Sequence, residues 1–535
     1  MKPIVFFFYL ALVVSGAIYF DRQNEPMPEV IQSLTGPKKT ITKVKYKHTG
    51  YIPPTLQTSN QRFDTISSVF RIARGDIYSN IGIQSNNDIQ DSTVVLFNHP
   101  DQKEVNAKSA AINIWNGATL FLPKISKNTL LSCIKGEPSK PFISEKNETK
   151  IIWAVGAWKY YLYTGDTTFL NTAYNAIQNT LQELEQKKFN DSLHLFHGLP
   201  ITGENKAALP RQSLMSKKSQ KQGNTAMTFQ STQFAESNGE DKKDQFIYCL
   251  STNCIYYKVY TILPKMAKII DQPENQKWNT KAKNLKTSIN QHFWNNDKQQ
   301  YTYLAQSSDS IMYQESLGLA FTILFDIADD NQKKIIADKT QKDSYGIPCT
   351  YPRFPRFQNL PAEQFGYYNG TVWPYIQGFW SNAYLKTQQN RQFSNVLKLL
   401  TNQVYRDKQF FGSYNPVTGM PYGGMYTTNS NEFKELQPIH RQTWSASAYM
   451  RMLLFGLFGM NITEEGINFN PSISYGAKTL TIRNIRYRDA TLTISITGKG
   501  NKIQAFSVNG TVKGDHFIPA DVKGKKEITI VMGNN

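Results

Sequence analysis

Residues 151–181, IIWAVGAWKYYLYTGDTTFLNTAYNAIQNTL, decide the architecture. Ile151, Val155, Trp158 and Leu162 recur at helical spacing, and Leu170, Tyr174, Ile177 and Leu181 repeat the rhythm. Steps of three and four put side chains on one face of an α-helix. Between the runs stands Gly165-Asp166. A glycine ends a helix by taking a left-handed φ, and an aspartate suits the start of the next one. Helices joined this tightly lie antiparallel, as a hairpin. A third run, Ile255, Val259, Ile262, Met266 and Ile269, contains Pro264, which is expected to kink it. Similar patterning over residues 61–460 predicts a large array of helical hairpins rather than a βαβ succession.

After Gly459 the period falls to two. Leu480-Ile482, Leu492-Ile494-Ile496 and Ile528-Ile530-Met532 alternate as strands, and Asn509-Gly510 marks a hairpin turn. Residues 461–535 therefore form a small antiparallel, sandwich-like β-domain. At the other end, residues 1–20, MKPIVFFFYLALVVSGAIYF, have one Lys, an apolar stretch and small Ser15 and Ala17 before a cleavage point. The expectation is export to the periplasm or the extracellular space, either by cleavage or with this segment retained as the single membrane contact. Residues 21–60 are polar and proline-containing and read as a linker, while residues 211–245 form a polar insertion, disordered or a lid.

Composition narrows the chemistry. Of the 535 residues, 40% are hydrophobic and 13% aromatic, which excludes a disordered, collagenous or coiled-coil chain. The net charge of +19 is spread along the whole length, with only short runs such as Lys217, Lys218 and Lys221. It reads as surface charge, not as a nucleic-acid footprint. The 4 cysteines lack zinc-site spacing and allow one optional disulfide, and the 7 histidines contain no H-x-x-x-H pair. No metal and no cofactor is expected, so catalysis falls to carboxylates.

Three stretches could carry it. In GLPITGENKAALPR, residues 198–211, a Gly203-Glu204-Asn205 turn presents Glu204, either as an ordinary loop glutamate or as a general acid. In GYYNGTVWPYIQGFW, residues 366–380, aromatic rings suited to stacking on pyranose faces accompany Asn369 and Gln377. A buried helix start with Pro374 in its first turn is the plainer reading. The third, residues 410–449, holds Tyr414-Asn415-Pro416, then Glu432 and Glu435, then Gln442-Thr443-Trp444-Ser445. A second carboxylate facing Glu204 would complete the pair that glycoside hydrolysis uses.

The order of these stretches resembles the six-hairpin (α/α)6-toroid glycosidases. The likeness is greatest to glycoside hydrolase family 63, the mannosyl-oligosaccharide glucosidase-like enzymes, with trehalase-like and debranching α-glucosidases as cousins. That group carries a G-x-D-N turn with the acid, an aromatic W-x-G-x-x-W segment, an E-x-Y-x-P-x-T-G segment with the base, and W-[ST]-A. Here they match Gly203-Glu204-Asn205, Tyr368 to Trp373, Phe411 to Gly419, and Trp444-Ser445-Ala446, and the helix WAVGAWKYYLYTGD is also similar. The resemblance covers most of residues 140–460.

It implies a mainly α fold, an (α/α)6 toroid with a small C-terminal antiparallel β-domain, and an exported inverting glycosidase acting on an α-linked, glucoside-like substrate. Glu204 stands where the group has Asp, and Gly412 where it has the basic Glu. The base is then Glu435, or next Glu432; otherwise the chain is a degenerate member that binds sugar without cleaving it. Trp153, Tyr368, Trp373, Tyr375, Tyr414 and Trp444 are the expected wall, with Asn369, Gln377 and Gln442 on the hydroxyls. The expected partner is an oligosaccharide or glycoside.

Overall fold

A computed structural model describes residues 27–31, 43–47, 52–59, 64–86, 88–145, 147–203, 208–210, 247–273, 276–305, 312–427 and 432–534. Residues 1–20, read as an export signal or anchor, and residues 211–245, read as a polar insertion, lie outside them. Among the described residues twelve α-helices follow in order: α1 (Asp64–Ser79), α2 (Ala107–Trp115), α3 (Pro123–Leu131), α4 (Trp153–Thr164), α5 (Thr167–Lys188) and α6 (Leu250–Ile269). Then come α7 (Gln276–Phe293), α8 (Ser316–Leu324), α9 (Asp330–Lys339), α10 (Pro374–Lys386), α11 (Asn390–Asp407) and α12 (Thr443–Arg451).

The even-numbered helices touch in sequence, and α12 returns to α2, so six helices close a ring. The odd-numbered helices pack around it. This is an α/α toroid. The sequence separates the layers: every residue of α2 and of α12 is buried, whereas α5 buries one stripe and turns Lys187 and Lys188 outward. Close approach within the ring uses small residues. A Cβ added at Gly156 of α4 would lie 2.5 Å from the Ala111 Cα of α2, and one at Gly378 of α10 would lie 2.8 Å from the Ala448 Cβ of α12.

The hairpin read from residues 151–181 is present as α4 and α5. Gly165 has φ 71°, and the Asp166 carboxylate accepts the Phe169 N–H at 2.9 Å, capping α5. Helix α6 spans the third run, with Pro264 inside it.

The β-domain is mixed rather than antiparallel. Its main strands are Ile473–Tyr487, Asp489–Gly500, Lys502–Val508 and Lys523–Gly533. Strand Asp489–Gly500 pairs antiparallel with Ile473–Tyr487 but parallel with Lys523–Gly533. Parallel partners need a crossover, and the hairpin at Asn509-Gly510 lies within it. The edge beside Ile473–Tyr487 is taken by Thr55–Thr58, from the stretch read as linker. Two further linker segments, Met27–Ile31 and Lys43–Lys47, pair with each other. The sheet abuts the C-terminal end of α4, where Arg488 N–H donates to the Tyr163 carbonyl at 2.8 Å. Among the described residues no helix is long and apolar enough to cross a membrane.

Candidate functional site

Because each inner helix is separated from the next by an antiparallel outer one, all six inner helices start at the same end of the toroid. The segments preceding α10 and α12 bring the aromatic residues there together. Trp373 caps the start of α10, with Pro374 in its first turn. The Trp373 ring stacks with Tyr368 at 5.8 Å, lies 4.9 Å from Tyr367 and 5.7 Å from Tyr375, and reaches Trp444 of α12 at 6.1 Å. Tyr375 and Trp444 are 5.0 Å apart, and the Lys108 ammonium of α2 lies 5.6 Å over the Trp444 ring. Tyr367 and Tyr368 are partly exposed, while Trp373, Tyr375 and Trp444 are buried behind them. The Trp444 indole N–H is buried without a partner among the described residues.

The start of α12 is held from several directions. Asn98 accepts the Trp444 N–H with its side chain and the Thr443 N–H with its carbonyl, satisfying two donors that a helix N-terminus leaves open. Asn80 donates to the Arg441 carbonyl and to the Thr443 hydroxyl. One turn earlier on α1, the Asp76 carboxylate accepts the Phe410 N–H at 2.7 Å. Burial pushes the Asp76 carboxyl up to about 7, against the lowering effects of that hydrogen bond and of the Arg441 charge.

Glu204 lies outside the described residues, but the approach to it does not. Gly198 N–H donates to the Ile247 carbonyl, Leu199 N–H to the Glu148 carboxylate, and Ile201 N–H to the Ser251 hydroxyl. The Thr202 hydroxyl donates to Glu315 at 3.0 Å. Gly203 then packs on the aromatic group, since a Cβ there would sit 3.2 Å from the Tyr368 ring. The residue before Glu204 therefore borders the site.

Glu315 was not singled out by sequence reasoning. It is fully buried at the start of α8; one oxygen takes Thr202 and the other takes the Ser251 N–H at 2.9 Å. Burial pushes its carboxyl up to about 7, opposed by the Ser251 and Thr202 hydrogen bonds. Gly318 leaves room for it, because a Cβ there would be 2.7 Å from the carboxylate. The available signal was a lone acid immediately before the apolar run SLGLAFTIL.

The base candidates lie elsewhere. Glu432 and Glu435 are exposed; Glu435 ends the strand Phe433–Glu435, paired with Met425–Thr427. That hairpin is attached to the aromatic segment, as Tyr367 N–H donates to the Met425 carbonyl at 3.0 Å. At Gly412 a Cβ would lie 2.6 Å from the Gln442 side-chain oxygen, so the Gln442 carboxamide fills the space a side chain at 412 would enter.

The remaining expected binders divide. Tyr368, Trp373, Tyr375, Gln442 and Trp444 belong to the assembly just described. Asn369 and Gln377 have carboxamides committed to backbone: Asn369 bonds Phe354 N–H and the Pro352 carbonyl, and Gln377 bonds both Ile347 N–H and its carbonyl. They shape the loops beneath the aromatic rings. Trp153 is fully buried, donates to the Leu130 carbonyl and packs on Phe169, serving the α3–α4–α5 core. Tyr414 pairs by backbone with Val372 and has a buried hydroxyl without a partner among the described residues. All 4 cysteines are buried free thiols, and no group of three His, Cys, Asp or Glu among the described residues is placed to hold a metal.

A family model described as "Mannosylglycerate hydrolase MGH1-like glycoside hydrolase domain" matches residues 109–434. No curated protein matches the sequence. Among solved structures, a sialidase is similar at TM-score 0.59 and 14% identity over 83% of this chain and 38% of that one. A GH78 family rhamnosidase of Bacillus sp. GL1 follows at TM-score 0.55 and 11% identity, covering 92% of this chain and 45% of that one. The chain thus spans less than half of either. The GH63 mannosylglycerate hydrolase from Thermus thermophilus, solved with glucose, is matched over 99% of its length and 72% of this chain, at TM-score 0.51 and 12% identity.

Proposed function

Because the chain belongs to the family of mannosylglycerate hydrolase MGH1-like glycoside hydrolase domains, and is in that sense a GH63-like glycosidase, we propose that it cleaves an α-linked, glucoside-like substrate with inversion. Glu204 donates the proton to the leaving oxygen. The observation that carries this reading is the seat of Gly203 against Tyr368, with Thr202 fastened to Glu315 behind it. Gly203 borders the partly exposed Tyr367 and Tyr368 rings, on which a sugar would stack.

Inversion needs a second carboxylate roughly 6.5–9.5 Å from the acid, so that a water fits between them. Glu435 is the proposed base, delivered by the hairpin attached to Tyr367, with Glu432 next. Delivery to the exported side of a membrane, through residues 1–20, belongs to the same proposal.

The test is hydrolysis of α- and β-linked aryl glycosides, disaccharides, mannosylglycerate and rhamnosides, with the product anomer followed by NMR. One α-glycoside should be turned over to the β-anomer, and Glu204→Gln should lower kcat by at least about 100-fold, the typical contribution of a general acid. An unchanged rate in that variant would remove Glu204 from the mechanism. The second reading, a sugar-binding protein without turnover, is favoured by one observation: Gln442 fills the side-chain space beside Gly412. It predicts ligand-induced stabilisation with an inert panel.

A further inference from the structure

About one and a half to two helical turns past its start, each inner helix carries a large side chain. Three are aromatic: Trp115 of α2, Phe321 of α8 and Phe379 of α10, with Trp115 stacked on Phe321 at 5.6 Å and edge-on to Phe379 at 4.5 Å. The other three helices contribute cations: Lys159 from α4, Lys258 from α6 and Arg451 from α12.

The Arg451 guanidinium lies 4.4 Å over Phe379 and 5.3 Å over Trp115. Lys258 approaches the same cluster from the other side, 5.6 Å over Phe325, which stacks on Trp115 at 5.8 Å. Arg451 is 6% exposed, yet its Nε–H has no partner among the described residues, and its Nη1 reaches Asn116 only at 3.4 Å.

No carboxylate answers these charges. Among the described residues none of the three cations is in an ion pair. The acids whose charge reaches them are engaged elsewhere: Glu464 holds Lys265 at 2.6 Å, and Asp326 holds Lys333 at 2.6 Å and Lys386 at 2.7 Å. Burial, then mutual repulsion with Lys258 and Arg451, pushes Lys159 down to about 7; burial, then Lys265 and Lys386, pushes Lys258 down to about 8. Lys159 and Lys258 are half-buried, whereas Arg451 is buried. Enclosed cations without counter-charge are costly, and cation–π contacts offset only part of that cost.

We infer that this cluster binds a small inorganic oxyanion, such as phosphate or sulfate, between Lys159, Lys258 and the free Nε–H of Arg451. A buried guanidinium donor without a partner among the described residues, near enough to two ammonium groups for their charges to act on one another, suits a multi-oxygen anion. The site is separate from the sugar-stacking residues and does not depend on the glycosidase reading.

Thermal melts in sulfate or phosphate, against sodium chloride at equal ionic strength, test it. The wild-type chain should gain about 2 °C in Tm, saturably, once the oxyanion is in hundredfold excess over its Kd. Lys159→Met/Lys258→Met should lose that gain, while melting higher than wild type in chloride because the repulsion is gone. Equal gains in wild type and variant would overturn the site, since sulfate also stabilises proteins by exclusion from their surface. If the double variant does not fold, wild-type crystals soaked in selenate decide: an anomalous peak within hydrogen-bond reach of Arg451 Nε and Lys159 Nζ supports the site, and none there refutes it.

Discussion

The hydroxyl of Thr202 donates to the carboxylate of Glu315 at 3.0 Å, across 113 positions of sequence. The bond joins the turn that leads into Glu204 to the start of an inner helix, and the second Glu315 oxygen ties the same point to α6 through Ser251 N–H. The chain as far as Gly203 is thus fastened to the helical ring.

Glu315→Gln should flatten the stability of the chain between about pH 4.5 and 7. The ordinary glutamate value is 4.5 and the folded one about 7. The folded state therefore holds its proton where the unfolded state has lost it. That contribution is complete below pH 4.5, declines as pH rises, and is gone above 7, a change of about 3 kcal/mol. Asp76, raised from 3.8 to about 7, acts in the same direction and remains in the variant. Denaturant titrations from pH 4 to 8 should show about half the wild-type slope. The amide can accept from Ser251 and donate to Thr202, so the fold is kept.

Gly203→Ala should act on the chemistry more than on the fold. The new Cβ would collide with the Ala208 Cβ and press on Tyr368, displacing the turn. A shift of about 1 Å at a reacting group costs on the order of 100-fold, so kcat should fall by that factor while Tm changes little. A kcat within twofold of wild type would show that the turn does not present the acid.

Gly412→Glu probes the base position. Its side chain must displace Gln442, so the single substitution should be weak and Gly412→Glu/Gln442→Ala strong. If Glu435 is the base, Glu435→Gln lowers kcat on its own, and the double variant restores turnover to it. An active Glu435→Gln protein together with an inert double variant would exclude both positions.

Trp444→Phe should separate binding from stability. The indole N–H is buried without a partner among the described residues, and an unmet donor costs about 1–3 kcal/mol. Phenylalanine removes that cost and keeps most of the contact with Tyr375 and Trp373. Tm should hold or rise, while the Kd for a bound sugar, measured by calorimetry, should weaken about tenfold through loss of one hydrogen bond.

Some of this could be read in the residues alone. The Gly165-Asp166 junction gives the first hairpin because its chemistry is local: a left-handed glycine and a capping carboxylate act within four residues. The aromatic segment around Trp373 was equally visible, and the order of the four motifs led to the toroid. Legibility failed where a side chain's partner was distant. Asn369 and Gln377 looked like hydroxyl binders because composition cannot show that Phe354, Pro352 and Ile347 already occupy their carboxamides. Trp153 sits in a similar motif, yet its helix face turns it to Leu130.

The sequence by itself determined the helical runs in residues 151–181 and 255–269, the strands after Gly459, and that aromatic residues are concentrated before α10 and α12. These follow from periodicity and from the φ preferences of individual residues. Tertiary structure alone decided that Thr55–Thr58 would complete a sheet more than four hundred positions away, and that Glu315 would stand behind Thr202. It also decided that Arg451 and Lys258 would approach one aromatic cluster from two sides. Helical and strand periods fix the face a residue occupies, but closing the inner ring selects the faces that meet. Burial then sets the charge state of what is enclosed there.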